Sequence, residues 1–389
     1  MSVTAPPGFV AAGVPAGIKA SGAPDLALVA TADGAPVAAA GVFTTNLAAA
    51  APVWVSRTHL EQTGGHAAAV VLSSGNANAA TGKRGIVDAE RICALVADGL
   101  GRQAPAVLIC QTGLIGIPLP LAVIEKAVPG LLSERAEGRG AAERAAAAIM
   151  TTDSRPKEVV VGSAGLTVGG MAKGAAMLAP KMATMLAVLT TDAACHPESL
   201  RAMLREAVEG TFNRISVDGC ESTNDTVLVL ANGRAGPTDE GALADALSEA
   251  CGSLAHQMVA DAEGGTKVVH VVVSGAASDG EAHRAARKVA DSSLVKCSFN
   301  GEDPYWGRVA STLGSAGVVF DLDRLLVSYG DTVVCRGGVA AEHDQEAVAA
   351  HMAGKAVELS CDLGLGPGRA AVLCADLGHG YIDENRTTS

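Results

Sequence analysis

The stretch Lys173–Asp192, KGAAMLAPKMATMLAVLTTD, carries the strongest chemical suggestion in the chain. Thr184 opens a continuous apolar run, TMLAVLT, of the kind that a strand buried on both faces requires. If the Ala183–Thr184 peptide bond were cut, that strand would begin with a free α-amine beside its own hydroxyl. An α-amine titrates at about 7.7 to 8.0, close to working pH, so it can serve as general base for the hydroxyl. No histidine is then required. The nine histidines are scattered, and none lies in an H-E-x-x-H or G-x-S-x-G context. His196 and His270 read as surface or helix-start residues. Taken alone, the same stretch also reads as a loop feeding a core strand, with Thr184 an ordinary β-branched strand former.

The elements around this stretch form a mixed α and β pattern without repeats. Ala68–Leu72 and Ala106–Cys110 are short apolar runs ending in the Gly-containing segments SSGNANAATG and QTGLIG, which reads as two buried strands delivering loops to one sheet edge. Glu158–Gly162 and Leu166–Gly170 read as paired strands. Pro180 prevents a long helix over Met171–Ala183. After Pro197 the spacing of Leu200, Met203, Leu204 and Val208 predicts a helix. Val227–Leu230 and Lys267–Val273 read as strands, with a long helix from about Glu240 between them. The final part reads as two hairpins around one helix: Leu325–Val327 with Val333–Cys335, and Val357–Ser360 turning through LGLGPGR into Ala370–Cys374. A smaller lobe is expected from about residue 280.

Composition narrows the class. The 389 residues are 49% hydrophobic and 18% charged, which suits a globular protein with a large core. Aromatics are only 3%, so Ala, Val, Leu and Ile must build that core, as in sheets closely covered by Ala-rich helices. A net charge of −12 argues against nucleic acid and anionic membrane surfaces as partners. Nine cysteines, none spaced C-x-x-C, read as reduced thiols and point away from a disulfide framework or a structural zinc site. No signal peptide is apparent, and no apolar run reaches the ~20 residues of a membrane span. A soluble cytoplasmic protein is the expectation.

KGAAMLAPKMATMLAVLTTDA resembles the self-cleavage signature of the ornithine acetyltransferase family, the bifunctional acetyltransferases of arginine biosynthesis. SSGNANAATG at 73–82, QTGLIG at 111–116, MTTDSRPK at 150–157, STNDT at 222–226, DAEGGTK at 261–267, DSSLVK at 291–296, DPYWGR at 303–308 and YIDEN at 381–385 recur in family order. The resemblance therefore covers the whole chain. It implies an α/β fold of the aminopeptidase DmpA and ornithine acetyltransferase type, with sheets between helix layers and a smaller C-terminal lobe. It also implies two fragments, 1–183 and 184–389, that stay together as a heterotetramer of two alpha and two beta chains.

Site roles follow from the same resemblance. Thr184 would be both cleavage nucleophile, at the Ala183–Thr184 bond, and acetyl carrier. Thr112 and Gly113 match the pair whose hydroxyl and backbone N–H form the oxyanion hole; read without the family, they are a turn. Thr151, Lys173, Glu263 and Asn385 match substrate-binding positions, Lys173 toward a carboxylate and Glu263 toward an amine. Without the family, the two charged residues would be solvated surface groups. The last binding hydroxyl would be Ser389 or Thr388, because the tail is about one residue shorter than usual. Tyr305 stands where the family typically has Asn, Ser73 where it has Asn, and Ala80 where Cys is common. The implied reaction moves an acetyl group from N2-acetyl-L-ornithine to L-glutamate through an acetyl-threonyl enzyme, without metal or organic cofactor, and some members also accept acetyl-CoA. Tyr305 and the tail leave open a relative with another acyl acceptor. An aminopeptidase of the same fold would pass the acyl group to water, and a non-enzymatic binding protein would remain uncut.

Overall fold

The computed structural model describes residues 2–178 and 185–386. These divide into two compact units, one within Met1–Asn213 and Cys220–Met258, the other within Arg214–Gly219 and Val259–Thr387.

The first unit is a four-layer α/β sandwich, as the expected fold requires. One sheet orders Phe9–Val14, Leu26–Thr31, Ala69–Asn76 and Val107–Leu114, the last two parallel. The other orders His66–Ala67, Val37–Phe43, Thr226–Ala231, Leu186–Thr191, Leu166–Lys173 and Lys157–Ser163. Their facing sides share one core, in which Val29, Leu72 and Leu108 from the first sheet meet Met171, Val188 and Leu228 from the second. Each such side chain contributes roughly 1.5 to 3 kcal/mol by leaving water. The helix Arg139–Ala148 buries five alanines in this core. Its close approach depends on Gly13, where a Cβ would lie 2.1 Å from the Arg144 carbonyl oxygen. Small residues thus replace the missing aromatics. On the outer side of the first sheet, Gly82–Leu100 and Leu121–Ser133 cover Leu28, Val71 and Ile109. Helices Pro197–Gly210 and Glu240–Val259 lie on the second sheet, the latter bringing Leu254 over Gly170.

The second unit is built on a mixed sheet ordered Ile215–Ser216, Gly368–Ala375, Val268–Ala276, Ala356–Asp362, Leu326–Tyr329, Thr332–Arg336 and Val339–Ala340. The Leu325–Cys335 hairpin forms as expected. The second expected hairpin does not. Gly368–Ala375 and Ala356–Asp362 flank Val268–Ala276 on opposite sides, antiparallel to the first and parallel to the second. The LGLGPGR loop therefore crosses the end of the intervening strand, where Leu363, Leu365 and Gly366 N–H groups bond the Ser274 and Gly275 carbonyls. Val268–Ala276 buries Val269, Val271 and Val273 in the core of this unit and takes the central place between two strands that a local turn signal had paired.

Six of the nine cysteines are buried. Among the described residues, no helix is long and apolar enough to cross a membrane.

Candidate active site

Strand register in the first unit gathers several of the sequence-nominated residues. Thr112 and Gly113 close the strand Val107–Leu114, directly beside Ser74 and Gly75 on Ala69–Asn76. Both runs extend as strand into the segments expected to be loops. Gly113 has φ +125°, and a Cβ there would stand 2.3 Å from the Gly75 carbonyl carbon. Only glycine fits this position. Thr112 is buried, and the Lys173 ammonium lies 3.4 Å from its Oγ1. An ammonium can only donate, so Thr112 accepts from Lys173 and keeps its own O–H free to donate elsewhere.

Lys173 ends the strand Leu166–Lys173 and is 3% exposed, so it is not a solvated surface charge. Burying an ammonium needs nearby negative charge, and Asp153 is that charge. Its Oδ1 accepts from the Lys157 ammonium at 2.6 Å and the Gly174 N–H at 2.8 Å, and its Oδ2 accepts from the Thr151 N–H at 3.0 Å. Burial alone would raise the Asp153 pKa. The Lys173 and Lys157 charges, with the hydrogen bonds from Lys157 and the Thr151 amide, outweigh burial and bring it to about 2. One carboxylate therefore ties the Thr151 segment to the end of the Lys173 strand.

The STNDT segment supplies the other support. Asn224 donates from Nδ2 to the Gln111 and Ala77 carbonyls, at 2.8 and 2.6 Å, and so links the start of Thr226–Ala231 to the strand end that carries Thr112. Asp225 is fully buried, and its Oδ1 accepts from the Met185 N–H at 2.8 Å. Its Oδ2 has no hydrogen-bond partner among the described residues. Burial pushes the Asp225 pKa well up, against the Met185 amide, Lys173 and Ser222. Leu186 pairs with Lys173 on one side and with Thr226 on the other. Lys173, Met185 and Asp225 thus sit at one end of adjoining strands. Thr184, which precedes Met185 in the chain, and Ala183 lie outside the described residues, as do Thr388 and Ser389.

In the second unit, Glu263 and Asn385 come together, the Asn385 amide donating to Glu263 Oε2 at 2.7 Å. Glu263 is 7% exposed, again not a solvated charge. The surrounding DAEGGTK segment is fixed by Asp376, which accepts from the Thr266 and Lys267 N–H groups, the Thr266 hydroxyl and the Asn300 amide. Burial raises the Asp376 pKa, and these hydrogen bonds more than reverse it, leaving the group below the usual carboxylate range.

Two departures from the expected pattern find places. Ser73 Oγ accepts from Gln111 Nε2, within the network that joins Gln111 to Asn78. Tyr305 is 56% exposed, at the start of the helix Trp306–Gly314. Asp153, Asn224 and Asp225 carried no expected role, although each lies inside a noted motif. Burial is what gives them one.

Chemically, the first unit combines a hydroxyl donor at Thr112, a close-approach N–H at Gly113, a buried cation and a buried carboxyl. That set suits a reaction that develops an oxyanion on a carboxylate-bearing substrate. Among the described residues, no group of three or more His, Cys, Asp or Glu could hold a metal ion.

Comparison with known proteins bears on the whole chain. The ArgJ family profile matches residues 10–387. The arginine biosynthesis bifunctional protein ArgJ of Mycolicibacterium paratuberculosis is 48% identical over 394 residues, covering 100% of this chain and 96% of that protein. The protein of the same name from Streptomyces coelicolor is 47% identical, with 100% of each chain covered. Among solved structures, ornithine acetyltransferase from Mycobacterium tuberculosis, complexed with ornithine, is 45% identical, covering 46% of this chain and 94% of that one at a TM-score of 0.42. With a profile match across nearly all of its length and near-half identity to full-length relatives, this chain belongs to the ArgJ family.

Proposed function

We propose that the protein is a self-cleaving acetyltransferase of arginine biosynthesis that moves an acetyl group from N2-acetyl-L-ornithine to L-glutamate. The observation that carries this reading is the buried Thr112–Lys173–Asp153 constellation at the strand ends beside Met185, the residue that follows Thr184. In maturation, the Thr184 hydroxyl attacks the Ala183 carbonyl and shifts the acyl group from nitrogen to oxygen. Water then hydrolyses the ester and leaves fragments 1–183 and 184–389. In turnover, the hydroxyl attacks the acetyl carbonyl while its proton passes to the Thr184 α-amine. The Thr112 hydroxyl and Gly113 N–H stabilise the tetrahedral oxyanion. Collapse expels ornithine, whose nitrogen takes the proton. The α-amine of glutamate then attacks the acetyl-threonyl ester, giving N-acetylglutamate and restoring the hydroxyl.

In this scheme Lys173 binds the substrate carboxylate, Glu263 with Asn385 the remote amine, and Thr151 and the C-terminal hydroxyl of Ser389 or Thr388 complete the contacts. No metal or organic cofactor takes part, acetyl-CoA is a candidate second donor, and the cytoplasmic enzyme works as a heterotetramer of two of each fragment. Intact mass tests the first step: wild type gives two fragments, whereas Thr184→Ala gives one uncut, inactive chain. Two fragments from Thr184→Ala would defeat the scheme. Initial rates with varied donor and acceptor test the second, since an acetyl-enzyme route requires parallel double-reciprocal lines.

A further inference from the structure

We propose that Lys19 is a second cation of the carboxylate subsite, acting with Lys173 on the α-carboxylate of the amino-acid substrate; this rests on the acetyltransferase reading above. The geometry begins with Asp25, which is fully buried. Its carboxylate accepts from the N–H groups of Ala16 at 2.6 Å, Ile18 at 2.6 Å and Lys19 at 2.8 Å, so residues 16–19 are wrapped around one fixed anion. This wrapping lays the Lys19 stem against Gly75, where an added Cβ would meet Lys19 Cγ at 3.2 Å. Gly75 is the strand partner of Gly113, and the two backbones approach so closely that a Cβ on Gly113 would overlap the Gly75 carbonyl carbon. The Lys19 stem therefore lies one strand away from the expected oxyanion donors.

The electrostatics agree with that placement. Half-burial lowers the Lys19 pKa below the usual lysine value; Asp25 opposes the shift, Lys173 adds to it and Asp153 opposes it. The two ammonium groups thus lie within each other's field. Lys19 donates to the Pro24 carbonyl at 2.9 Å, which uses one of its three N–H donors and leaves the charge uncompensated by a direct ion pair in the described residues. Asp153 is already bonded to Lys157 and to two backbone amides. The carboxylate that acts most strongly on Lys19 is Asp25, already held by three backbone amides, so an incoming carboxylate would give the Lys19 ammonium a direct ionic partner.

The test pairs a residue change with a substrate change. The self-cleaved wild type, Lys19→Gln and Lys19→Arg are assayed with N2-acetylornithine and with its α-carboxamide. Wild type prefers the carboxylate donor. Lys19→Gln should raise KM for that donor roughly tenfold, leave kcat within about threefold, and leave the carboxamide kinetics almost unchanged. Lys19→Arg should keep most of the preference. Equal losses for both donors, a Lys19→Gln chain that no longer folds, or kinetics unaltered with either donor would each overturn the proposal. A self-cleaved wild type that transfers from neither donor would instead strike the acetyltransferase reading, and this inference with it; a carboxylate preference that survives Lys19→Gln intact would strike the inference alone.

Discussion

At Thr112 a single hydroxyl is asked to do two things, and its neighbours decide whether it can. Lys173 approaches Oγ1 as a donor, so the hydroxyl hydrogen is left to point at a developing negative charge. Replacing Thr112 with Ala removes that donor and leaves the Gly113 N–H alone. Turnover should fall by roughly two to three orders of magnitude, the typical cost of one oxyanion donor, with maturation slowed as well. A Thr112→Ala enzyme with wild-type kcat would place the donor elsewhere. Glu263 offers a second test at this scale. Its carboxylate is held by Asn385, and Glu263→Gln keeps the shape while removing the charge. Acetylornithine, with a free remote amine, should lose ~1.5 to 3 kcal/mol in kcat/KM, as expected for a charge-assisted hydrogen bond. Acetylglutamate, assayed as donor in the reverse direction, should lose less; equal losses would make Glu263 a structural group. Thr112, Gly113, Lys173 and Glu263 were legible only through the family resemblance, since by themselves they read as a turn and as solvated surface charges. Asp153 and Asp225 were not legible even so. A carboxylate acquires its role from what buries it, and nothing next to either residue in sequence announces Lys173 or Met185.

Among the elements, the decisive tie is Asp153, which joins the Thr151 segment to the ends of two strands through Lys157 and Gly174. A carboxyl whose folded pKa is depressed contributes stability that is complete above its unfolded pKa and is lost as pH falls through the folded value. For Asp153 that window runs from about 3.9, the ordinary Asp value, down to about 2. The contribution is on the order of 2 kcal/mol, and Asp153→Asn should remove it at pH 7. Urea unfolding at pH 7, 4 and 2.5 checks this: the gap between wild type and mutant should narrow at the lowest pH. A gap of the same size throughout would show that the charge of Asp153 contributes nothing. Element types were largely legible, because the runs read as strands at Ala106–Cys110, Lys267–Val273 and Val227–Leu230 overlap the strands Val107–Leu114, Val268–Ala276 and Thr226–Ala231. The order of strands in a sheet was not. Gly-Pro-Gly between Ala356–Asp362 and Gly368–Ala375 is a local turn signal. The intervening strand arrives from about a hundred residues upstream, a pairing that no local pattern records.

For the molecule as a whole, the sheet topology bears on what a cut at Ala183–Thr184 would do. In the six-stranded sheet, Thr226–Ala231 and Leu186–Thr191 belong to the proposed second fragment, and they lie side by side between strands of the first. Val37–Phe43 pairs with Thr226–Ala231 along one border, and Leu166–Lys173 pairs with Leu186–Thr191 along the other, each over six residue pairs. The same strands contribute Met171, Leu186, Val188, Leu228 and Leu230 to one shared core. Separating the fragments would break two hydrogen-bonded ladders in the middle of a sheet and expose that core to water. Dissociation should therefore require unfolding of the first unit. We expect the cut protein to show two bands in denaturing gels and one species in native sedimentation. Loss of fragment association and loss of far-ultraviolet dichroism should coincide along a urea titration, at concentrations well above any dissociation constant. Fragments that separate at a urea concentration where the dichroism is still native would mean that the interleaved strands do not hold them, and the cut would have to be followed by a rearrangement of this sheet.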